Sequence, residues 1–123
     1  MPGASPSLAG QAAEDHALEY LQGQGLQLLE RNWRCKGGEL DLVMLDADTV
    51  VFVEVRYRLH AEFGGALASI DGRKQQRLAL AANLFLQQAP CWATHPCRFD
   101  VVALQGQGHA GQPLQWLKNA FEC

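Results

Sequence analysis

Apolar residues return along the chain with two different periods. Ala13, Ala17, Tyr20 and Leu21 stand at i, i+4, i+7 and i+8, which predicts a helix over residues 10–24 that stops at Gly23 and Gly25. Leu78, Ala81, Ala82, Phe85 and Leu86 repeat the stripe and predict a second helix over residues 71–88, with Asp71 as N-cap and Pro90 beyond its end. Between these stretches the period falls to two. Residues 26–33 read as a strand in which Leu26, Leu28 and Glu30 alternate with Gln27, Leu29 and Arg31. A basic turn over residues 32–38 follows. Two β-rich runs then flank the polar turn Asp46-Ala47-Asp48-Thr49 and predict a hairpin. Residues 98–104 predict another strand, residues 114–117 a short last one, and residues 119–123 a terminal turn. Residues 59–68, with Gly64-Gly65, and the Gly- and Gln-rich residues 105–113 read as loops. Residues 1–8 are rich in Pro, Ser, Gly and Ala and are expected to be a disordered tail ahead of a single domain over residues 9–123.

The hairpin runs are interrupted by charge. Asp41 breaks the first, and Glu54 and Arg56 break the second. Strand alternation puts Val50, Phe52, Glu54, Arg56 and Arg58 on one face, and Glu39, Asp41, Val43 and Leu45 on a face opposite to Leu40, Leu42 and Met44. One antiparallel register brings Asp41 beside Glu54, with Arg56 two residues along. Two carboxylates 4 Å apart repel by about 1 kcal/mol in water and by more at lower dielectric. Two readings are open at this point. A divalent cation would turn the repulsion into a site, and hard oxygen donors with open positions for water and phosphate suit Mg²⁺. Alternatively, Glu54 pairs with Arg56 or Arg58 in a surface ladder and Asp41 caps a turn.

Charge adds a partner class. The net charge is −3, which argues against indiscriminate binding to polyanions. Yet Arg31, Arg34, Lys36, Arg56, Arg58, Arg73, Lys74 and Arg77 are eight of the 10 Lys and Arg residues, all within residues 31–77. Cations gathered in one region can grip a phosphate backbone locally. Trp33 lies among them, where it can stack on a base or wedge under the sheet. Lys74 shares a face with Leu78 at the start of the second helix. A cation there opposes the helix dipole, so an anion nearby or a solvent-reaching side chain would accommodate it. Glu14 borders the apolar stripe of the first helix.

No apolar run approaches the roughly 20 residues needed to span a bilayer, and no secretory signal pattern opens the chain. The expected location is the cytoplasm, with no membrane partner and with Cys35, Cys91, Cys97 and Cys123 as thiols. Cys91, His95 and Cys97 do not follow a zinc-finger or zinc-ribbon spacing. No local signature supports Ser/His/Asp or Cys/His chemistry. His16, His60 and His109 read as incidental surface residues.

The pattern Glu14, then Asp41, then Glu54-Val55-Arg56, on a helix–three strands–helix–strand order, resembles the PD-(D/E)xK nuclease core, the restriction-endonuclease-like fold. More closely, it resembles the small bacterial YraN family, which is similar to archaeal Holliday-junction resolvases. The resemblance rests on Glu14, Ala17, Tyr20-Leu21, Asn32-Trp33-Arg34, Gly38-Glu39-Leu40-Asp41-Leu42-Val43, Phe52-Val53-Glu54-Val55-Arg56, Arg58, Phe63-Gly64, Lys74, Ala81, Arg98-Phe99-Asp100-Val101-Val102 and Asn119-Ala120-Phe121. It implies an α/β fold with a mixed central sheet flanked by helices. It implies a DNA-cutting activity dependent on Mg²⁺ or Mn²⁺, with Asp41, Glu54 and the Val55 carbonyl as metal ligands. Glu14 would complete the acidic cluster, and branched or recombination intermediates would be substrates of a homodimer.

One position departs from the motif: Arg56 stands where the pattern has lysine. Arginine keeps the charge and forks onto phosphate oxygens, but it cannot act as a base. Either electrostatic stabilisation suffices, with Lys74 as a migrated lysine, or the fold binds nucleic acid or a protein partner without cutting. A small-molecule phosphoesterase fits less well, because the cationic region is extended; a steep salt dependence would mark contacts to several phosphates.

Overall fold

The computed structural model describes residues 8–58, 70–105 and 114–121. Residues 1–7 of the predicted tail, the predicted loop around Gly64-Gly65, residues 106–113 of the second predicted loop, and Cys123 lie outside the described residues, whereas Leu8 already belongs to a helix and Gln105 to a strand. Helix α1 spans Leu8–Gly23 and α2 spans Gly72–Gln88. Strands β1 (Gln27–Cys35), β2 (Gly38–Asp46), β3 (Thr49–Arg58), β4 (Cys97–Gln105) and β5 (Leu114–Phe121) form one sheet in the order β1-β2-β3-β4-β5. β3 and β4 are parallel, and the other neighbours are antiparallel. A parallel neighbour needs a crossover, and α2 lies within it. The fold is α/β with a mixed five-stranded sheet, compatible with a restriction-endonuclease-like core. Among the described residues no helix is long and apolar enough to cross a membrane.

The two helical stripes cover opposite faces. Ala13, Ala17 and Leu21 of α1 pack on Leu42, Met44, Val51, Val53, Val102 and Leu104. Leu78, Ala81, Ala82 and Phe85 of α2 pack on Val43, Val50, Phe52, Phe99 and Val101. Tyr20 departs from the predicted stripe: it is exposed and meets Trp116 edge-on. Gly25, at φ 98°, lets the Leu26 N–H reach the Leu21 carbonyl at 3.1 Å and its own N–H reach Gln22 at 3.0 Å, closing α1. Asp71 caps α2 by accepting the Lys74 N–H at 2.9 Å.

Three local expectations are corrected. The predicted basic turn over residues 32–38 is largely strand, because β1 runs on to Cys35, which pairs with Gly38. Only Lys36 and Gly37 turn, and Gly37 takes φ 92°, as a tight hairpin requires. The short last strand and terminal turn are a single β5 reaching Phe121, which stacks on Phe99 at 4.8 Å. A register shift between Phe99 and Val101, with Asn119 at φ 51°, absorbs the polar residues that suggested a turn.

The third correction concerns faces. Leu29 packs toward α2 while Arg31, expected on the same face, reaches Glu14 of α1; a register shift falls between Leu28 and Glu30. Leu40 also packs toward α2, whereas Leu42 and Met44 pack toward α1, so these three do not share a face. The change of face falls between the pairs Arg31↔Leu42 and Trp33↔Leu40, where the register itself is continuous. Asn32 sits between them at φ 54°, a left-handed conformation that asparagine tolerates better than most residues. Arg31 therefore reaches α1 while Trp33 turns toward α2, where it meets Phe85 edge-on at 5.6 Å. Trp33 is a packing residue.

Candidate active site

The change of face lies at Asn32 on β1 and at Asp41 on β2. The paired register of β2 and β3 extends from Asp46↔Thr49 to Leu42↔Val53. One residue further, the Asp41 carboxylate accepts the Val55 N–H at 2.9 Å. A side chain thus takes the place of a ladder carbonyl and holds Asp41 between the strands, beside Glu54. Glu54 is buried, at 6% exposure, and its Oε2 meets Arg56 Nη2 at 3.1 Å and Lys74 Nζ at 3.6 Å. Strand β3 supplies Glu54 and Arg56, β2 supplies Asp41, and α2 supplies Lys74. The cation that opposed the α2 dipole lies against a carboxylate.

Glu14 comes from α1 and is buried, at 8% exposure. Its Oε1 lies 3.6 Å from Arg31 Nε, an ion pair past ordinary hydrogen-bond length. Arg31 also bonds Asp15. Asn32 hydrogen-bonds Glu14, so the residue that bends β1 also fixes the acid.

Burial dominates the electrostatics, because it penalises charge. It raises the Glu54 pKa to about 8, helped by the Asp41 charge and opposed by Lys74 and Arg56. Burial also raises Asp41, against the Val55 N–H and a hydrogen bond with Glu54. Glu14 is raised by burial and then by the Asp41 charge, against Arg31 and Asn32. The two carboxyl groups interact closely enough that they titrate as a unit.

The pair fits a hard cation. Glu54 is buried and Asp41 half-buried beside it, and a cation held by both would offset the charge that burial penalises. Buried polar atoms on either side, Glu14 Oε1, Asn32 Oδ1, Arg31 Nε and Arg56 Nε, have no hydrogen-bond partner among the described residues. Among those residues no three His, Cys, Asp and Glu side chains form a metal-holding group, so the fit rests on Asp41, Glu54 and the Val55 backbone.

The other predicted cations are spread around this centre. Arg34 pairs with Glu39 at 3.4 Å on the β1–β2 hairpin, and Lys36 is exposed at its turn. Arg73 and Arg77 are exposed on α2. Arg58 closes β3, and its side chain lies outside the described residues. His16 is half-buried, with a buried Nδ1 that has no partner among the described residues. His60 and His109 lie outside the described residues.

Sequence reasoning passed over one buried carboxylate. Asp100 on β4 is fully buried and accepts from Arg98 Nε at 3.0 Å, Trp116 Nε1 at 2.9 Å and the Asn119 N–H at 2.9 Å. Arg98 also reaches Asp46 at 3.0 Å. The available signal was an aspartate inside an apolar strand with arginine two positions earlier. None of Cys35, Cys91 and Cys97 is in a disulfide.

The sequence pattern of the uncharacterised protein family UPF0102 matches residues 13–104. The chain is 88% identical, over 123 residues and the full length of both, to a UPF0102 protein of Pseudomonas entomophila. It is 85% identical over 123 residues, again the full length of both, to one of Pseudomonas putida strain GB-1. A UPF0102 protein of Pseudomonas savastanoi is 62% identical over 122 residues, covering 99% of each chain. The chain therefore belongs to the uncharacterised protein family UPF0102, the family to which the YraN resemblance pointed.

Proposed function

We propose that this chain is a metal-dependent phosphodiesterase that cuts DNA, including branched or recombination intermediates. The supporting observation is half-buried Asp41 beside buried Glu54 at the point where β2 and β3 part, flanked by Arg56 and Lys74. Asp41, Glu54 and the Val55 carbonyl would hold Mg²⁺ or Mn²⁺. When bound, the ion supplies Lewis acidity toward a phosphate oxygen and makes water a better acid. Glu54 would serve as a carboxylate ligand, its proton having passed to solvent. Asp41 stays anchored on the Val55 N–H, so its carboxylate does not swing away. Glu14 orders water at the edge of the pair. Arg56 lets go of Glu54 and forks onto phosphate oxygens, and Lys74 replaces the lysine that the motif lacks. A homodimer would supply the two cuts that resolving a junction requires.

One observation favours a second reading. Arg56 Nη2 lies 3.1 Å from Glu54 Oε2, a fixed positive charge where a cation would sit. On this reading the fold binds DNA or a protein partner without cutting. The test is cleavage of end-labelled linear, single-stranded, flap and four-way-junction DNA in Mg²⁺ or Mn²⁺ by wild type, Asp41→Ala and Arg56→Lys. Cutting by wild type that disappears in Asp41→Ala supports the nuclease. Cutting only by Arg56→Lys means an intact site disabled at one position, and supports the binding reading for the natural chain. Silence from all three folded proteins overturns the nuclease.

A further inference from the structure

Beside the acidic pair lies a cleft of about 500 Å³ between the β1–β2 turn and the first turns of α2. Among the described residues its charged lining is Arg34, Glu39, Lys74 and Arg77, three cations against one anion. Its shape depends on close backbone approach. A Cβ at Gly38 would stand 3.0 Å from the Arg77 carbonyl oxygen and 3.2 Å from the Ala81 Cβ. A side chain at Gly38 would make the hairpin and α2 part by a few tenths of an ångström, and their closeness brings Arg34 and Arg77 to one cleft. Lys74 belongs to the cleft and also stands 3.6 Å from Glu54 Oε2. Lys74 thus links the cleft to the acidic pair.

Arg34 and Arg77 reach solvent at the cleft. The Arg34–Glu39 pair is 3.4 Å long, with both side chains about two-fifths exposed, a geometry worth little in water. Arg77 is exposed and pairs with no carboxylate among the described residues. An anion in the cleft could engage Arg77 without displacing a described carboxylate. Two guanidinium groups facing across a cleft match the oxygens of a phosphodiester.

We infer that this cleft is a phosphodiester subsite, holding the backbone phosphate next to the one presented to Asp41 and Glu54; the inference rests on the nuclease reading for the identity of the strand. The cleft grips the backbone by charge and leaves the bases unread. Glu39 weakens that grip and limits how long a strand stays bound.

The experiment measures fluorescence anisotropy of a short labelled DNA strand across a KCl titration without divalent metal. It compares wild type, Arg34→Gln, Arg77→Gln, Glu39→Gln and Lys118→Gln. Lys118 is on β5, at the opposite edge of the sheet, and controls for net charge. Arg34→Gln and Arg77→Gln are each expected to weaken binding about five- to tenfold and to flatten the log–log salt slope by about 0.7, the value for one lost single-strand phosphate contact. Glu39→Gln is expected to tighten binding, and Lys118→Gln to match wild type. Absence of binding by wild type, or equal effects of Arg77→Gln and Lys118→Gln in proteins of unchanged melting temperature, overturns the inference. Binding of inorganic pyrophosphate that depends on Arg34 and Arg77, without matching loss for the DNA strand, also overturns it and leaves a small-anion site. Cleavage that needs Asp41 but ignores Arg34 and Arg77 in KM and salt slope removes the subsite and keeps the nuclease. Strand binding that tracks Arg34 and Arg77 without any cleavage keeps the subsite and removes the nuclease.

Discussion

The sheet contains two sites of buried carboxylate, and they are opposites. At β4, Asp100 is fully buried and accepts from the Arg98 guanidinium, the Trp116 indole and the Asn119 N–H. Burial works against the Arg98 charge, yet its bonds to Asp100 and Asp46 raise its pKa overall. That arrangement clasps β5 and the β2–β3 turn to β4, and it has no unmet demand. At the parting of β2 and β3, two carboxyl groups face each other, and burial and mutual repulsion push the Glu54 pKa up to about 8. Burial costs both sites the same kind of desolvation. They differ in whether the chain supplies the compensation itself. Asp100 is satisfied from within and is structural, whereas Asp41 and Glu54 leave a penalty that a cation held by both would offset.

The comparison is easiest to break at its ends. Asp41→Ala is expected to lower metal-dependent DNA cleavage by on the order of 10³-fold or more in initial-rate assays. Its stability should stay within about 1–2 kcal/mol of wild type, because relief of repulsion offsets loss of the Val55 hydrogen bond. Asp100→Ala should reverse the pattern. Removing the carboxylate leaves a partly buried guanidinium, an indole N–H and a backbone N–H without their acceptor, which costs about 3–5 kcal/mol in urea unfolding. Protein that stays folded should retain its cleavage rate. If Asp100→Ala is as stable as wild type, the clasp is not what holds β5.

Glu54→Gln sharpens the contrast through pH. Folded Glu54 keeps its proton up to about pH 8, while an ordinary glutamate releases it near 4.5. Between those values the folded state binds more protons than the unfolded one. The stabilising contribution is complete below the lower value and is lost as pH rises through the upper one. Unfolding free energy of the metal-free wild type should fall from pH 5 to pH 8 on this account, and Glu54→Gln should flatten the fall. An identical pH profile in the variant would remove Glu54 as its source. The smallest expected effect is that of the ion itself. Mn²⁺ at tenfold its Kd should stabilise the wild type by about 1.4 kcal/mol. Thermal melts should show a larger shift at pH 8 than at pH 6, because the pair must lose its proton to bind. The shift should vanish in Asp41→Ala and persist in Arg77→Gln.

Local periodicity carried much of this protein. Ala13, Ala17 and Leu21, and the stripe from Leu78 to Phe85, are the inner faces of α1 and α2. The Asp41 and Glu54 interruptions mark a real junction between β2 and β3. These features follow from residues a few positions apart, whose geometry the helix and strand periods set. The left-handed Asn32 reversed the faces of Trp33 and Leu40, because a single backbone angle overrides alternation and periodicity does not report it. Asp100 stayed unread because its partners Trp116 and Asn119 come from β5, and a carboxylate's satisfaction depends on what folding brings to it. Lys74 showed in sequence only as a cation poorly placed for a helix start. Packing of α2 on the sheet brought it to Glu54, and the same packing opened the cleft at Arg34 and Arg77. The sequence by itself determined where the elements lie and which residue types bear charge. The tertiary structure decided which charges are answered by the chain and which are left for something else, because desolvation and pairing are set by neighbours distant along the chain.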